Sequence, residues 1–227
     1  GGFFPEVSGQ AQLDSTNGGV GTSVDFQSLL GMSSRASAGD GALRVRLGER
    51  WRIEASYFQL TQNGDKAIDR NINWGDTTYP INTQLTSKLQ FSDLRISAGY
   101  SIFKTSDKEV GAGLGLHVLG YKAEIRSTTL GSESTDVLAP LPVITVYGQF
   151  ALDDQWSVSA RLDRLSLTSG QYSGGITVMG LDLLYQPFRY VGFGLGYRSM
   201  FMNFEDTSGK LTARLNQSLQ GPGLFLT

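Results

Sequence analysis

Cysteine is absent from this 227-residue chain, which excludes a disulfide framework, thiol catalysis and a Cys-based zinc site. Charge is also scarce: Asp, Glu, Lys and Arg make up 18% of the residues, against about 25% in typical soluble domains. The formal net charge of -2 excludes a basic nucleic-acid-binding surface. No run of about 18 apolar residues occurs, so a transmembrane helix is not expected. What remains is a glycine-rich chain in which 40% of the residues are hydrophobic.

Apolar and polar residues alternate with a period of two along most of the chain. The segments Leu43–Leu47 and Trp156–Asp163 are examples, with aliphatic or aromatic residues on one face and Arg, Ser or Asp on the other. This period predicts β-strands with one apolar and one polar face. Helical periodicity is weak throughout.

The connections between the predicted strands alternate between short and long. Short turns are predicted at 48–50, 106–109, 153–155 and 186–189, and longer polar loops at 33–40, 63–82, 129–136, 169–174 and 205–210. Short periplasmic turns alternating with longer external loops are typical of an up-and-down membrane β-barrel. A soluble β-sandwich is the alternative that alternation alone would allow.

Aromatic residues lie at the ends of the predicted strands, next to the short turns. An amphipathic aromatic ring is favoured at a membrane interface, so we predict an aromatic girdle. Its members are Trp51, Tyr100, Phe103, Phe150, Trp156, Phe188 and Tyr190. In a soluble sandwich the same residues would instead belong to the core.

Two segments, Val110–His117 and Val191–Arg198, follow short turns and alternate glycine with apolar residues. We expect the apolar residues to point outward and the glycines inward, where they leave room for long side chains from other strands. No helix is predicted after either glycine-rich segment, which argues against a nucleotide-binding loop.

These patterns predict an all-β fold, an antiparallel up-and-down transmembrane β-barrel of ten strands, with eight as the alternative. We assign residues 1–19 to a polar N-terminal tail, periplasmic or tucked into the lumen, and residues 20–227 to the barrel domain. The predicted strands are 20–31, 40–48, 51–62, 84–104, 110–127, 138–151, 156–168, 175–186, 191–204 and 210–227.

The turn rhythm, the glycine-alternating strands and the closing segment Gly221–Thr227 resemble small Gram-negative outer-membrane β-barrel proteins of the broad OmpA/OmpX/OmpW-like type. The resemblance spans about residues 20–227. It implies a location in the bacterial outer membrane, with lipid, lipopolysaccharide and the barrel assembly machinery as partners. The sequence differs from that family in its last residue, which is usually aromatic there. Here the last residue is Thr227, and Phe225 lies two positions before it. That family includes channels, adhesins, enzymes and anchors, so the resemblance selects no single activity.

If the aliphatic faces meet lipid, the opposite faces line the lumen. They carry seven arginines and five carboxylates, together with one histidine. A structural ion-pair network that fills a narrow barrel is one interpretation, and a constriction that favours small polar or anionic solutes is the other. The set comprises Asp25, Arg44, Arg46, Arg52, Glu54, Asp93, Arg95, His117, Arg161, Asp163, Asp182, Arg198 and Arg214.

His117 is the only histidine and lies within a predicted strand. No motif places a serine and His117 together by spacing, so we expect no enzymatic activity; an outer-membrane lipid hydrolase or protease is the alternative. One histidine with scattered carboxylates has no metal-ligand spacing, and we expect no metal or cofactor.

The longest predicted loop, 63–82, contains Ile72, Trp74 and Tyr79 in an otherwise polar segment. These residues could contact a surface partner, or they could pack over the barrel mouth. We therefore expect a non-enzymatic barrel with a structural or surface-display role and a narrow or plugged polar lumen. A narrow passive channel is the alternative.

Overall fold

A computed structural model of the chain describes residues 1–15, 19–74, 76–127, 131–169, 172–206 and 213–227. Within these ranges every regular element is a β-strand. No helix in the described part of the chain is long and apolar enough to cross a membrane. Parts of the predicted loops 129–136, 169–174 and 205–210 lie outside the described residues, as do residues 210–212 of the last predicted strand.

The strands differ greatly in length, and the long ones form consecutive antiparallel pairs. In chain order they are β1 (Gly2–Phe3), β2 (Glu6–Leu13), β3 (Val24–Asp25), β4 (Ala38–Leu47), β5 (Trp51–Ala67), β6 (Ile72–Trp74), β7 (Thr77–Tyr79), β8 (Gln84–Lys104), β9 (Lys108–Ser127), β10 (Gly131–Ala151), β11 (Trp156–Ser169), β12 (Tyr172–Phe188), β13 (Val191–Asp206) and β14 (Ala213–Leu226).

A ring of ten strands follows from these pairings. β1 pairs with β4 on one side and with β14 on the other, so the N-terminal strand joins the two ends of the series. β2 continues this wall strand beyond Pro5 and pairs with β14 from Glu6 to Leu13. The predicted antiparallel barrel of ten strands is confirmed.

The identity of the first strand was predicted wrongly. Residues 2–13 belong to the wall and are not a tail, whereas only Val24 and Asp25 of the predicted strand 20–31 pair with another strand. The reason is polarity: Phe3 and Val7 of the N-terminal strand point into the barrel and are buried, so this strand offers lipid no row of large apolar residues.

The remaining wall strands agree with the predicted ones, although several extend further. The predicted loop 129–136 is partly strand, because β10 begins at Gly131 and pairs with β9 from there onward. Likewise β5 extends to Ala67, into the predicted loop 63–82. Short connections at 48–50, 105–107, 152–155 and 189–190 lie together at one end, which we call the short-turn end.

The hydrophobic alternation reverses its phase along the strands. On β8, Leu94 and Ile96 point outward and are exposed toward the short-turn end, whereas Leu89 and Phe91 point inward and are buried toward the long-loop end. β5, β9, β12, β13 and β14 change phase in the same way. Exposed apolar residues of the outer wall are therefore concentrated in the half near the short turns, where about nine residues per strand suffice to cross a bilayer.

Two apolar clusters fill the interior of the long-loop half. The lumen cluster spans the barrel just above the phase change and consists of Phe3, Val7, Ala38, Phe58, Leu60, Phe91, Leu119, Val143, Ile176, Val178, Met200, Met202 and Leu219. The mouth cluster lies beyond it and consists of Val24, Phe26, Leu29, Leu30, Met32, Ile68, Ile72, Tyr79, Leu85, Leu89 and Ile125.

Candidate functional site

The interior of the short-turn half holds a cluster of charged side chains centred on Asp163 of β11. Its carboxylate accepts two hydrogen bonds from Arg95 on β8, from Nε at 2.8 Å and from Nη2 at 3.0 Å. Thr145 Oγ1 donates a third at 2.6 Å. The paired bonds from one guanidinium are the strong, orienting arrangement for arginine and carboxylate. Asp163 is 0% exposed, so these partners replace water completely.

Glu54 on β5 is the second centre and joins three arginines. Arg52 and Arg44 both donate to its Oε1, and Arg95 Nη1 lies 3.3 Å from its Oε2. Arg95 therefore bridges Glu54 and Asp163 across the barrel. Arginine suits this role because its planar fork can hold two carboxylates at once.

His117 on β9 lies between two aspartates. Its Nδ1 is 3.0 Å from both carboxylate oxygens of Asp93, and its Nε2 is 3.5 Å from Asp163 Oδ2. The ring is 0% exposed. Among the described residues, no hydroxyl group forms a hydrogen bond with His117.

A third group lies closest to the short turns. Arg46 donates two hydrogen bonds to Glu109, and Ser101 Oγ donates to the same carboxylate at 2.6 Å and lies 3.1 Å from the Tyr147 hydroxyl. The Arg52 guanidinium lies 4.2 Å from the centre of the Tyr147 ring.

The inward glycines make room for aromatic rings, as the alternating glycine pattern predicted. Tyr147 pairs with Gly111 on β9 and covers Gly99 on β8, where a Cβ atom would lie 2.6 Å from the ring. Phe225 covers Gly194 in the same manner. These rings fill lumen space that no side chain of the paired strand occupies.

A cavity of about 530 Å³ remains between the charged cluster and the short-turn end, and we call it the vestibule. Five arginines line it: Arg44, Arg46, Arg95, Arg161 and Arg198. Three carboxylates share the lining, from Asp40, Glu54 and Asp182. Because Arg44 and Arg46 are partly exposed there, solvent reaches the cavity.

All but two of the predicted lumen residues have their side chains in the barrel interior. Asp25 lies instead in the short strand β3, which pairs with β2, and its Oδ1 accepts a hydrogen bond from the Ser28 backbone N–H at 2.6 Å. Burial raises the pKa of Asp25, but the hydrogen bonds from Ser28 and Gln27 outweigh this effect and leave the pKa below its usual value. The prediction for Asp25 was wrong because residues 20–31 are not a wall strand.

Arg214 was also predicted wrongly. Its side chain is exposed on the outer wall, and its Nε donates to Glu205 at 2.7 Å. The neighbouring Leu215 packs against the mouth cluster, so on this part of β14 the apolar face points inward. Arg214 lies beyond the phase reversal, where the polar face is the outer one.

The sequence prediction missed several members of the interior. Glu109 was assigned to a turn, and Asp40 to the margin of a loop, yet Glu109 accepts two hydrogen bonds from Arg46, and Asp40 lies 3.6 Å from Arg198. Thr145 and Tyr147 alternate with Ile144 and Val146 in an apolar segment that carries no charge, so nothing marked their inward direction. Their pairing with Gly113 and Gly111 was the available signal.

The predicted aromatic girdle lies on the outer wall near the short turns, and each of its seven side chains is at least one third exposed. Trp51 packs edge-on against Tyr100, with ring centres 5.3 Å apart.

The predicted contact residues of loop 63–82 are not displayed. Ile72 and Tyr79 are each 1% exposed and belong to the mouth cluster, with Trp74 packed against it. Packing over the barrel mouth is therefore the arrangement found. In the described part of the chain, no group of three His, Asp or Glu side chains is placed to hold a metal ion.

No family description and no curated protein matches this sequence. Among solved structures, the outer membrane protease OmpT from Escherichia coli is similar, at 9% identity over 98% of this chain and 94% of that one, with a TM-score of 0.58. The TodX toluene transporter of Pseudomonas putida is 10% identical over 98% of this chain and 87% of that one, with a TM-score of 0.31. The likeness to OmpT shows an outer-membrane type of barrel fold; the second likeness is too weak to carry an argument.

Proposed function

We propose that this protein is an outer-membrane β-barrel with a structural or surface-display role, and that its lumen does not conduct. One observation carries the proposal. Asp163, His117 and Arg95 are at most 1% exposed, and Phe91, Leu119, Ile176 and Leu219 directly above them are 0% exposed. Two consecutive layers of side chains therefore close the lumen.

The two layers resist an ion for different reasons. In the charged layer each buried carboxylate already has its arginine or histidine partners, so an entering ion would have to break buried pairs. In the lumen cluster an ion would lose its hydration without gaining any polar partner. Both costs oppose the narrow passive channel, the alternative that the sequence left open.

The membrane location is supported by the outer wall of the short-turn half. Large apolar side chains such as Leu43, Leu114 and Leu181 are more than half exposed there. In water such a continuous belt would be costly, whereas lipid accommodates it. The aromatic girdle lies beside the short turns, where we expect the periplasmic interface.

We also propose that the protein is not an enzyme. His117 is enclosed between Asp93 and Asp163 beneath the lumen cluster, so a substrate has no access to it. The alternative of a lipid hydrolase or protease would require a second set of catalytic groups, and no residue contact found in the described ranges provides one.

Reconstitution into lipid vesicles tests the location and the closed lumen together. Trp51 and Trp156 lie on the outer wall, whereas Trp74 packs against the mouth cluster. Lipids brominated near the head group should therefore quench the tryptophan fluorescence of a Trp74→Phe variant, in which the two girdle residues are the only tryptophans. A Trp51→Phe/Trp156→Phe variant, which retains Trp74 alone, is the matched control and should be quenched much less.

The same inserted protein is then examined in planar bilayers and by vesicle swelling in small sugars. We expect no steady conductance and no swelling, with a wide porin as the positive control. Steady conductance of the quenched, and therefore inserted, protein would overturn the closed lumen. Equal quenching of the two tryptophan variants would overturn the assigned membrane belt.

A further inference from the structure

The vestibule contains two arginines whose hydrogen-bonding capacity is not used. Arg161 and Arg198 form no hydrogen bond with any residue that the structure describes. Arg161 Nε is buried and lies 3.2 Å from Asp163 Oδ2 without hydrogen-bond geometry. Arg198 Nη2 is 3.6 Å from Asp40 Oδ2, beyond hydrogen-bond distance.

The other arginines of the vestibule differ in this respect. Arg44 donates to Glu54, Arg46 to Glu109 and Arg95 to Asp163. Glu54 and Asp163 are thus already engaged with other donors, and Asp40 lies beyond hydrogen-bond distance from Arg198. The third carboxylate of the lining, Asp182, has only Ser159 Oγ as a hydrogen-bond partner among the described residues, at 3.4 Å.

The two arginines are also held in place. The Arg198 guanidinium lies over the rings of Phe3 and Phe58, at 5.1 and 5.7 Å from their centres. Arg161 lies in the field of Arg95 and Arg198, which repel it, as well as of Asp163 and Glu54, which attract it. An anion between the two guanidinium groups would offset the repulsion between them and would accept hydrogen bonds from their unused N–H groups. Little rearrangement of the side chains would be needed.

We propose that the vestibule binds a small organic anion, with Arg161 and Arg198 as the groups that hold its carboxylate or phosphate. The cavity volume of about 530 Å³ admits a small organic molecule. Phe225 and Leu184 of the same lining provide apolar surface for the remainder of the ligand. Since the layers above are closed, the vestibule is a binding pocket open at the short-turn end and is not a step in a pore.

Titration calorimetry of the folded protein in an uncharged detergent at low salt tests this site with three probes. Benzoate and inorganic phosphate should bind, and benzylammonium, which is similar in shape to benzoate but positively charged, should not. Tighter binding of benzoate would assign an organic carboxylate as the ligand, and tighter binding of phosphate would assign a phosphorylated one. Absence of binding by both anions at millimolar concentration, or equal binding of benzylammonium, would overturn the proposal without requiring any variant.

Variants then locate the site. Arg161→Gln and Arg198→Gln should each weaken anion binding about tenfold or more, since each removes a charge-assisted pair of donors. Arg164→Gln is the matched control, because Arg164 lies on the same strand as Arg161, is exposed and donates to Thr177 Oγ1. Equal weakening by Arg164→Gln, or none by the first two, would refute the assignment. Conductance is measured separately, so a failed closed-lumen proposal and a failed anion site give different results.

Discussion

Asp163→Asn is the substitution that the charged cluster should tolerate least. The change keeps the size of the side chain but removes its charge, and it places an amide NH₂ among groups that are themselves donors. Arg95 and Thr145 would compete for a single remaining acceptor oxygen. Arg161, 3.2 Å away, would lose its nearest counter-charge.

The magnitude follows from the number of partners that are left without an acceptor. Removing one member of a buried ion pair costs about 3–5 kcal/mol. Arg95 keeps Glu54 at 3.3 Å, which offsets part of the loss. We therefore expect the free energy of unfolding to fall by about 3 kcal/mol, near the lower limit of that range.

Equilibrium urea unfolding in lipid vesicles measures this change, and Asp182→Asn is the matched control. Asp182 is also an inward aspartate of a neighbouring strand, but its one hydrogen bond, from Ser159, is long at 3.4 Å. Its replacement should cost less than about 1 kcal/mol. Arg95→Met added to Asp163→Asn should cost less than the sum of the two single changes, since neither partner is then left alone. If Asp163→Asn costs no more than Asp182→Asn, the reasoning about the cluster is refuted.

Two further predictions concern packing. Gly111→Ala would place a Cβ atom 2.5 Å from the Tyr100 carbonyl oxygen and against the Tyr147 ring, so we expect the free energy of unfolding to fall by about 1–3 kcal/mol in the same assay. Gly41→Ala is the control, because no atom lies within 4 Å of its new Cβ, and equal losses for the two changes would contradict the packing argument. Ile72→Ala should open the loop at the barrel mouth by removing a residue that is 1% exposed, at a cost of about 2–5 kcal/mol, and should accelerate its cleavage in limited proteolysis. Ile81→Ala, at a position that is 52% exposed, should leave the cleavage rate unchanged, and equal acceleration by both changes would count against the mouth cluster.

The number of strands and most of their positions could be predicted from the sequence because the signals are local. Alternation within a strand and a short turn after it depend on adjacent residues, as at 48–50 between β4 and β5. The first strand was missed because its partners are distant in the chain. Val7 pairs with Leu219, and Phe3 with Gly223, so its place in the wall is set by the other end of the barrel and not by its own pattern.

The lumen was predicted in part, and the reason for the limit is physical. A single rule, apolar outward and polar inward, holds only where lipid surrounds the wall. Beyond the membrane, water surrounds the wall and the interior must supply the apolar core, so the rule is inverted. Phe58 and Phe91 lie beyond this change and were therefore not assigned to the interior, although both are at most 3% exposed.

The inversion is visible in the sequence, because the apolar residues of a strand change from odd-numbered to even-numbered positions, or the reverse. On β8 the apolar residues occupy odd positions up to Phe91 and even positions from Leu94 onward, with Ser92 and Asp93 between them. On β9 the change falls between Leu116 and Leu119. Since β8 and β9 are antiparallel and Leu119 pairs with Asp93, the two changes lie at one level of the barrel. That level is where the buried charges end and the lumen cluster begins, because a wall strand that leaves lipid must exchange the polarity of both of its faces at once.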